Sequence, residues 1–163
     1  MLYLLDAYVL IDANRDYYPI ARVPEFWEWL IDAAEQGRVK VPMEIYEELI
    51  QGNDDLKRWM SKNKQQMRLN ENVQLDLVRR VMADGYGKDL DDEEIEKIGN
   101  DPFLIAYALV NRSNRCIVTT EVSKPKRTRA NRHIPDVCKD LELRCCGPFE
   151  FIRVLDFSTH WND

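Results

Sequence analysis

No run of 18 or more apolar residues occurs anywhere in the chain, so nothing in it reads as a membrane-spanning helix. The first residues lack the basic leader and small-residue cleavage site of a secretory signal, because Asp6 interrupts the opening apolar stretch. Cysteine is sparse: Cys116, Cys138, Cys145 and Cys146 show no framework spacing, which argues against a disulfide-stapled fold and for a reducing, cytoplasmic setting. A zinc site from Cys138, Cys145, Cys146 and His133 has no CxxC pair to support it, and buried free thiols are the simpler expectation. Internal repeats and low-complexity linkers are also absent. The chain of 163 residues, 45% hydrophobic and 32% charged, reads as one globular domain over 1–163.

The formal net charge is −6, which at first sight disfavours a nucleic-acid partner. That excess is local. The stretch 89–96, DLDDEEIE, holds six acids and no base, so the rest of the chain is neutral. In 124–132, KPKRTRANR, five bases (Lys124, Lys126, Arg127, Arg129, Arg132) occur with no acid. A neutral body with one basic loop suits local contact with a phosphate backbone, and the loop's other reading is a solvated surface segment.

Residues 2–5 are short and wholly apolar, as expected of a strand buried on both faces. PEFWEWLIDAAEQ, opened by Pro24 and closed by Gly37, predicts an amphipathic helix. RVKV (38–41) predicts a strand and the segment from Pro42 to Gly52 a helix. Further helices are expected at 54–62, at 71–84 with Asn70 as cap, and at 91–98. NDPFLIAYALVNR (100–112) predicts a helix apolar almost all round, with Asp101 placed as its N-cap. CIVTT (116–120) predicts a strand, followed by a helix from Pro135, a strand at 143–146 and a helix from Pro148. Strands alternating with helices give the fold class: α/β, a three-layer α/β/α sandwich with a short central parallel sheet.

Ligands in open α/β sheets sit beyond the carboxyl ends of the strands. Asp6 and Glu121 each follow a predicted strand directly, and Asp101 opens a helix that feeds into the second of them. Glu48 shares a helical face with Ile45 and Leu49, which turns it toward the core. Four acids from four elements are therefore expected to meet at one sheet edge. Crowded carboxylates raise one another's pKa unless a cation sits among them, and oxygen-only donors suit Mg²⁺ or Mn²⁺.

The order LLD at the first strand, an acid in the EL pair of a helix, NDPFLIAYAL and then IVTTE resembles the PIN domain family of metal-dependent ribonucleases. The likeness runs over essentially the whole chain, through the IPDVC segment to LELRCCGPFEFIRVL, and is greatest to a PIN-like branch of similar length. It implies endonucleolytic cleavage of RNA leaving a 5′ phosphate, with Asp6, Glu48, Asp101 and Glu121 catalytic and Asp6, Asp101 and Glu121 holding Mg²⁺ or Mn²⁺. It further implies an RNA substrate, a cognate antitoxin protein as partner, dimer formation and no membrane. The chain departs from that family at Ala7 and Tyr8, where a small hydroxyl residue and Asn commonly follow the first acid, and at Glu121, where Asp is common. The alternative is a PIN-like module that binds RNA or a protein without cleaving. A phosphoacceptor receiver domain, suggested by Ser123-Lys124-Pro125 after a strand, lacks its paired acids and has no place for the long helical stretch between 42 and 114.

Overall fold

In the computed structural model, which describes residues 1–162, four short parallel strands form one sheet. In chain order the elements are β1 (Leu2–Leu5), α1 (Ala7–Asp12), a π-helical turn (Ala13–Tyr17), α2 (Pro24–Glu35), β2 (Val39–Lys40), α3 (Met43–Leu49), α4 (Asp55–Lys62) and α5 (Lys64–Met67). There follow α6 (Leu75–Val81), a second π-helical turn (Met82–Tyr86), α7 (Asp92–Ile98), α8 (Asp101–Leu109), β3 (Arg115–Val118), a 3₁₀ turn (Arg129–Asn131), α9 (Ile134–Asp140), β4 (Arg144–Cys146) and α10 (Pro148–Val154). The sheet order is β2-β1-β3-β4, flanked by helices, as the alternation of patterns predicts. No helix among the described residues is long and apolar enough to cross a membrane.

Burial explains why these segments take these places. Leu4, Leu5, Ile117 and Val118 are inaccessible to solvent, as a strand covered on both faces requires. Seven of the nine residues of α8 are buried, which is why its sequence shows no polar face to solvent. Each fully buried Leu or Ile stabilises the fold by about 1.5–3 kcal/mol. The register sets Leu5 beside Val118, so β1 and β3 end level with one another.

Three expectations are corrected. Asp101 is the first residue of α8 and not its cap; Asn100 takes the cap position, without a side-chain cap bond. The helix expected at 71–84 starts only at Leu75, and Asn70 does not cap it. Glu71 is engaged elsewhere: its carboxylate takes both oxygens to Arg115 (2.7 and 2.9 Å) and its carbonyl accepts from the Tyr107 hydroxyl (3.3 Å). Those contacts hold Glu71 outside the helix, since a buried guanidinium must keep its partner. Finally, the strand read as 116–120 spans Arg115–Val118, because the Thr119 side chain turns to Asp6 where the ladder ends.

Candidate functional site: an acidic cluster at the carboxyl edge of the sheet

Asp6 is the residue immediately after β1 and caps α1, its Oδ1 accepting from the Ala7 amide at 2.8 Å. Its Oδ2 accepts from the Thr119 hydroxyl, also at 2.8 Å, across the β1–β3 pair. Parallel register makes this contact unavoidable, since Asp6 and Thr119 each stand one residue beyond the paired Leu5 and Val118. The carboxylate is buried, and burial pushes its pKa up to about 6, with Glu121 and Glu48 adding to the rise. The bonds from Thr119 and Ala7 oppose the rise by favouring the charged form.

Asp101 is pushed further, to about 8, by burial first and then by Asp6, Glu121 and Glu48. Burial leads in both cases, and Glu48 and Glu121 act on each of the two buried acids, so the acids after β1, on α3, at the start of α8 and after β3 share one neighbourhood at the sheet edge. Glu48, expected to turn toward the core, is instead exposed at the edge of the cluster, where it accepts from Asn100 Nδ2 at 3.2 Å. Glu121 is half-buried; its Oε2 accepts from the Ile134 amide (2.7 Å) at the start of α9, and its own amide donates to Thr119 Oγ (3.2 Å).

These private partners decide how the cluster stands. Among the described residues no three His, Cys, Asp or Glu side chains converge tightly enough to hold a metal ion as they are arranged. Asp6, Glu48 and Glu121 each accept from donors of the protein's own: Thr119 and the Ala7 amide, Asn100, and the Ile134 amide. The donor set itself fits a hard divalent cation: all oxygen, four carboxylates, no thiol or imidazole.

Two groups at the site carry no sequence signal of their own. Thr119 supplies a hydroxyl to Asp6 from the neighbouring strand, although Ala7 leaves the position after the acid without one. Tyr86 closes the second π-helical turn with its ring buried and its hydroxyl without a partner. Burial raises that phenol first, and Asp101 and Glu121 raise it further, which puts it in the neighbourhood of the acids. Gly85 fixes this approach: a Cβ there would stand 2.6 Å from Val137 Cγ1, so only glycine lets the turn press against α9. The contact between 119 and 6 is legible only once the two strands are known to be neighbours. The π-turn has no compositional mark beyond its glycine.

The basic loop is largely spoken for. Arg129 donates to Glu94 (2.6 and 2.8 Å) and Asp89 (2.9 Å), and Arg132 to Asp140 (2.6 Å) and the Gly85 carbonyl (2.6 Å). Arg127 meets His133 at 3.0 Å, which leaves Lys124 and Lys126 free of carboxylates among the described residues. The acidic stretch thus engages Arg129, and Asp140 on α9 engages Arg132. Of the aromatic residues, Tyr18 stacks on Phe26 (4.4 Å) and Trp59 packs on Trp27 (4.8 Å), while Tyr17 is half exposed. The thiols are free, with Cys116 and Cys146 at 3.8 Å across β3 and β4.

A three-layer α/β/α domain with an acidic cluster at the carboxyl edge of its sheet is the class these features define. The chain belongs to the family described as a domain of unknown function (DUF4411), whose model matches residues 3–159. No curated protein and no solved structure matches it.

Proposed function

We propose that this domain is a metal-dependent endoribonuclease of the PIN-like kind, the toxin component of a prokaryotic toxin–antitoxin pair acting in the cytoplasm. The observation that carries the reading is the gathering of Asp6 and Asp101 at the carboxyl edge of the sheet, both raised by burial first and then by Glu121 and Glu48, with Asp6 also raising Asp101. Carboxylates are held together in a buried place at a free-energy cost only where something positive offsets it, and Mg²⁺ or Mn²⁺ matches these donors. When bound, the cation supplies Lewis acidity toward a phosphodiester and lowers the pKa of water at the site.

The protein's own part begins with Asp6, Asp101 and Glu121 as the ligands and Glu48 as the flanking acid. Thr119 and the Ala7 amide orient Asp6 and favour its charged form. Asn100 orients Glu48, which is exposed enough to accept a proton from water entering the cluster. The half-exposed Tyr17, which packs edge-on against Phe149 (5.2 Å), offers an apolar surface to a cognate antitoxin or a second copy.

A non-cleaving PIN-like module is the second reading. It is favoured by the private hydrogen bonds that keep the acids from forming a ready ligand cage. Labelled RNA incubated with purified protein and Mn²⁺ separates the two. Nuclease action yields 5′-phosphate ends that vanish with EDTA and in Asp101→Asn, whereas intact RNA at high protein concentration leaves the binding module.

A further inference from the structure

A second basic surface is built differently from the loop at 124–132. The stretch 56–70, LKRWMSKNKQQMRLN, has five bases (Lys57, Arg58, Lys62, Lys64, Arg68) and no acid. In α4, Leu56 and Met60 are buried and Trp59 packs on Trp27, which turns Arg58 and Lys62, one helical turn apart, outward together. Lys64 is exposed just beyond, with its ammonium 5.8 Å from the centre of the Tyr46 ring. Among the described residues none of the five forms an ion pair, in contrast to Arg129 and Arg132.

The backbone fixes where this surface lies. Val41, just past β2, pairs in parallel with Arg68, through Val41 N to the Met67 carbonyl and Leu69 N to the Val41 carbonyl, both 2.8 Å. Leu4 is level with Lys40 in the sheet, so Arg68 lies in the same row as Leu5 and Val118, one step before Asp6 and Thr119. Two strand spacings separate Arg68 from Leu5, about 10 Å. Lys64, Gln65, Arg68 and Asn70 line an open cleft of about 450 Å³ with no carboxylate in its wall. Cations, amide donors and open space at the level of the acids match a chain of phosphates leading into them.

We infer that the α4–α5 surface, from Arg58 through Lys62 and Lys64 to Arg68, is the track that holds the phosphate backbone of single-stranded RNA beside the acidic cluster. The choice of RNA rests on the nuclease reading; the unpaired cations and their place at the sheet edge do not. Lys124 and Lys126 then lie outside the principal contact.

Fluorescence anisotropy of a labelled single-stranded RNA, measured in EDTA so that no cleavage occurs, tests this over a range of salt. The exposed triple variant Arg58→Gln/Lys62→Gln/Lys64→Gln weakens binding and reduces the slope of log K against log salt by about 2, at roughly 0.7 per lost phosphate contact. Lys124→Gln/Lys126→Gln leaves the slope near that of the parent. An unchanged slope in the triple variant, or the drop falling on the loop variant, overturns the track. Displacement of RNA by polyglutamate at equal charge concentration also overturns it, assigning the surface to an acidic protein segment. Salt-sensitive binding through the track with no cleavage in Mn²⁺ upholds this proposal and removes the nuclease reading alone.

Discussion

Replacing Asp101 with Asn converts the electrostatics of the cluster into a measurable stability. Asp101 moves from an ordinary 3.8 to about 8 in the folded protein. At 1.36 kcal/mol per pH unit this corresponds to at most about 6 kcal/mol when the group is fully charged. Solvent screening of a half-buried carboxylate brings the figure toward about 3 kcal/mol. Asp6, moved from 3.8 to about 6, shares part of the same repulsion, so the two contributions do not add. Both folded values are raised, so the native state holds more protons than the unfolded chain between about pH 4 and 8, and stability falls as pH rises through that window. Carboxylates held low act in the opposite sense: Glu94, near 2 beside Arg129, together with Asp89 and Asp136, loses its native advantage only as pH falls below about 4. Urea unfolding of wild type and Asp101→Asn from pH 5 to 9 separates the cluster from the raised thiols Cys138 and Cys146, which both proteins share and which enter only toward pH 9. Wild-type protein loses stability across the range, and Asp101→Asn flattens the profile and is the more stable protein at pH 9 by about 3 kcal/mol. A wild-type profile flat from pH 5 to 9, or a variant weaker than wild type at pH 9, refutes the claim that these acids repel one another in the fold.

Thr119→Val removes the donor to Asp6 Oδ2 and the acceptor of the Glu121 amide while keeping the shape of the side chain. Hydrogen bonds to charged groups are worth about 1.5–3 kcal/mol, so the loss in urea unfolding is larger at pH 9, where Asp6 is ionised, than at pH 5. A loss independent of pH contradicts the assignment of Thr119 to the charged carboxylate. Tyr86→Phe deletes a buried hydroxyl that has no protein partner, and it raises stability by about 1 kcal/mol, again by urea unfolding.

The parts of the fold visible in the sequence are those governed by local pattern and burial. Leu2–Leu5, Pro24–Glu35 and Asp101–Leu109 show their burial through composition alone, and alternation then implies parallel strands and a common carboxyl edge. Asp6 and Glu121 gain their place at that edge from the register of β1 and β3. What was not legible depends on partners distant in the chain. Glu71 abandons a helix for Arg115, 44 residues away, and Arg129 and Arg132 give up their availability to acids on α7 and α9. The basic stretch after Leu56 is interleaved with core residues, and its ladder contact through Arg68 appears only in three dimensions. Ala7 marks an apparent gap beside the first acid, but a hydroxyl from position 119 stands there instead.

Proton release on cation binding tests the central claim most directly. With Asp101 near 8 and Asp6 near 6, the cluster at pH 7 carries about one proton, nearly all of it on Asp101. A cation held by these carboxylates must expel it. Calorimetric titration with Mn²⁺ at pH 7, repeated in buffers of different ionisation enthalpy, gives the number released. Saturable binding with about one proton expelled per protein is expected, and loss of that proton in Asp101→Asn. Absence of binding, or binding with no proton released, contradicts it.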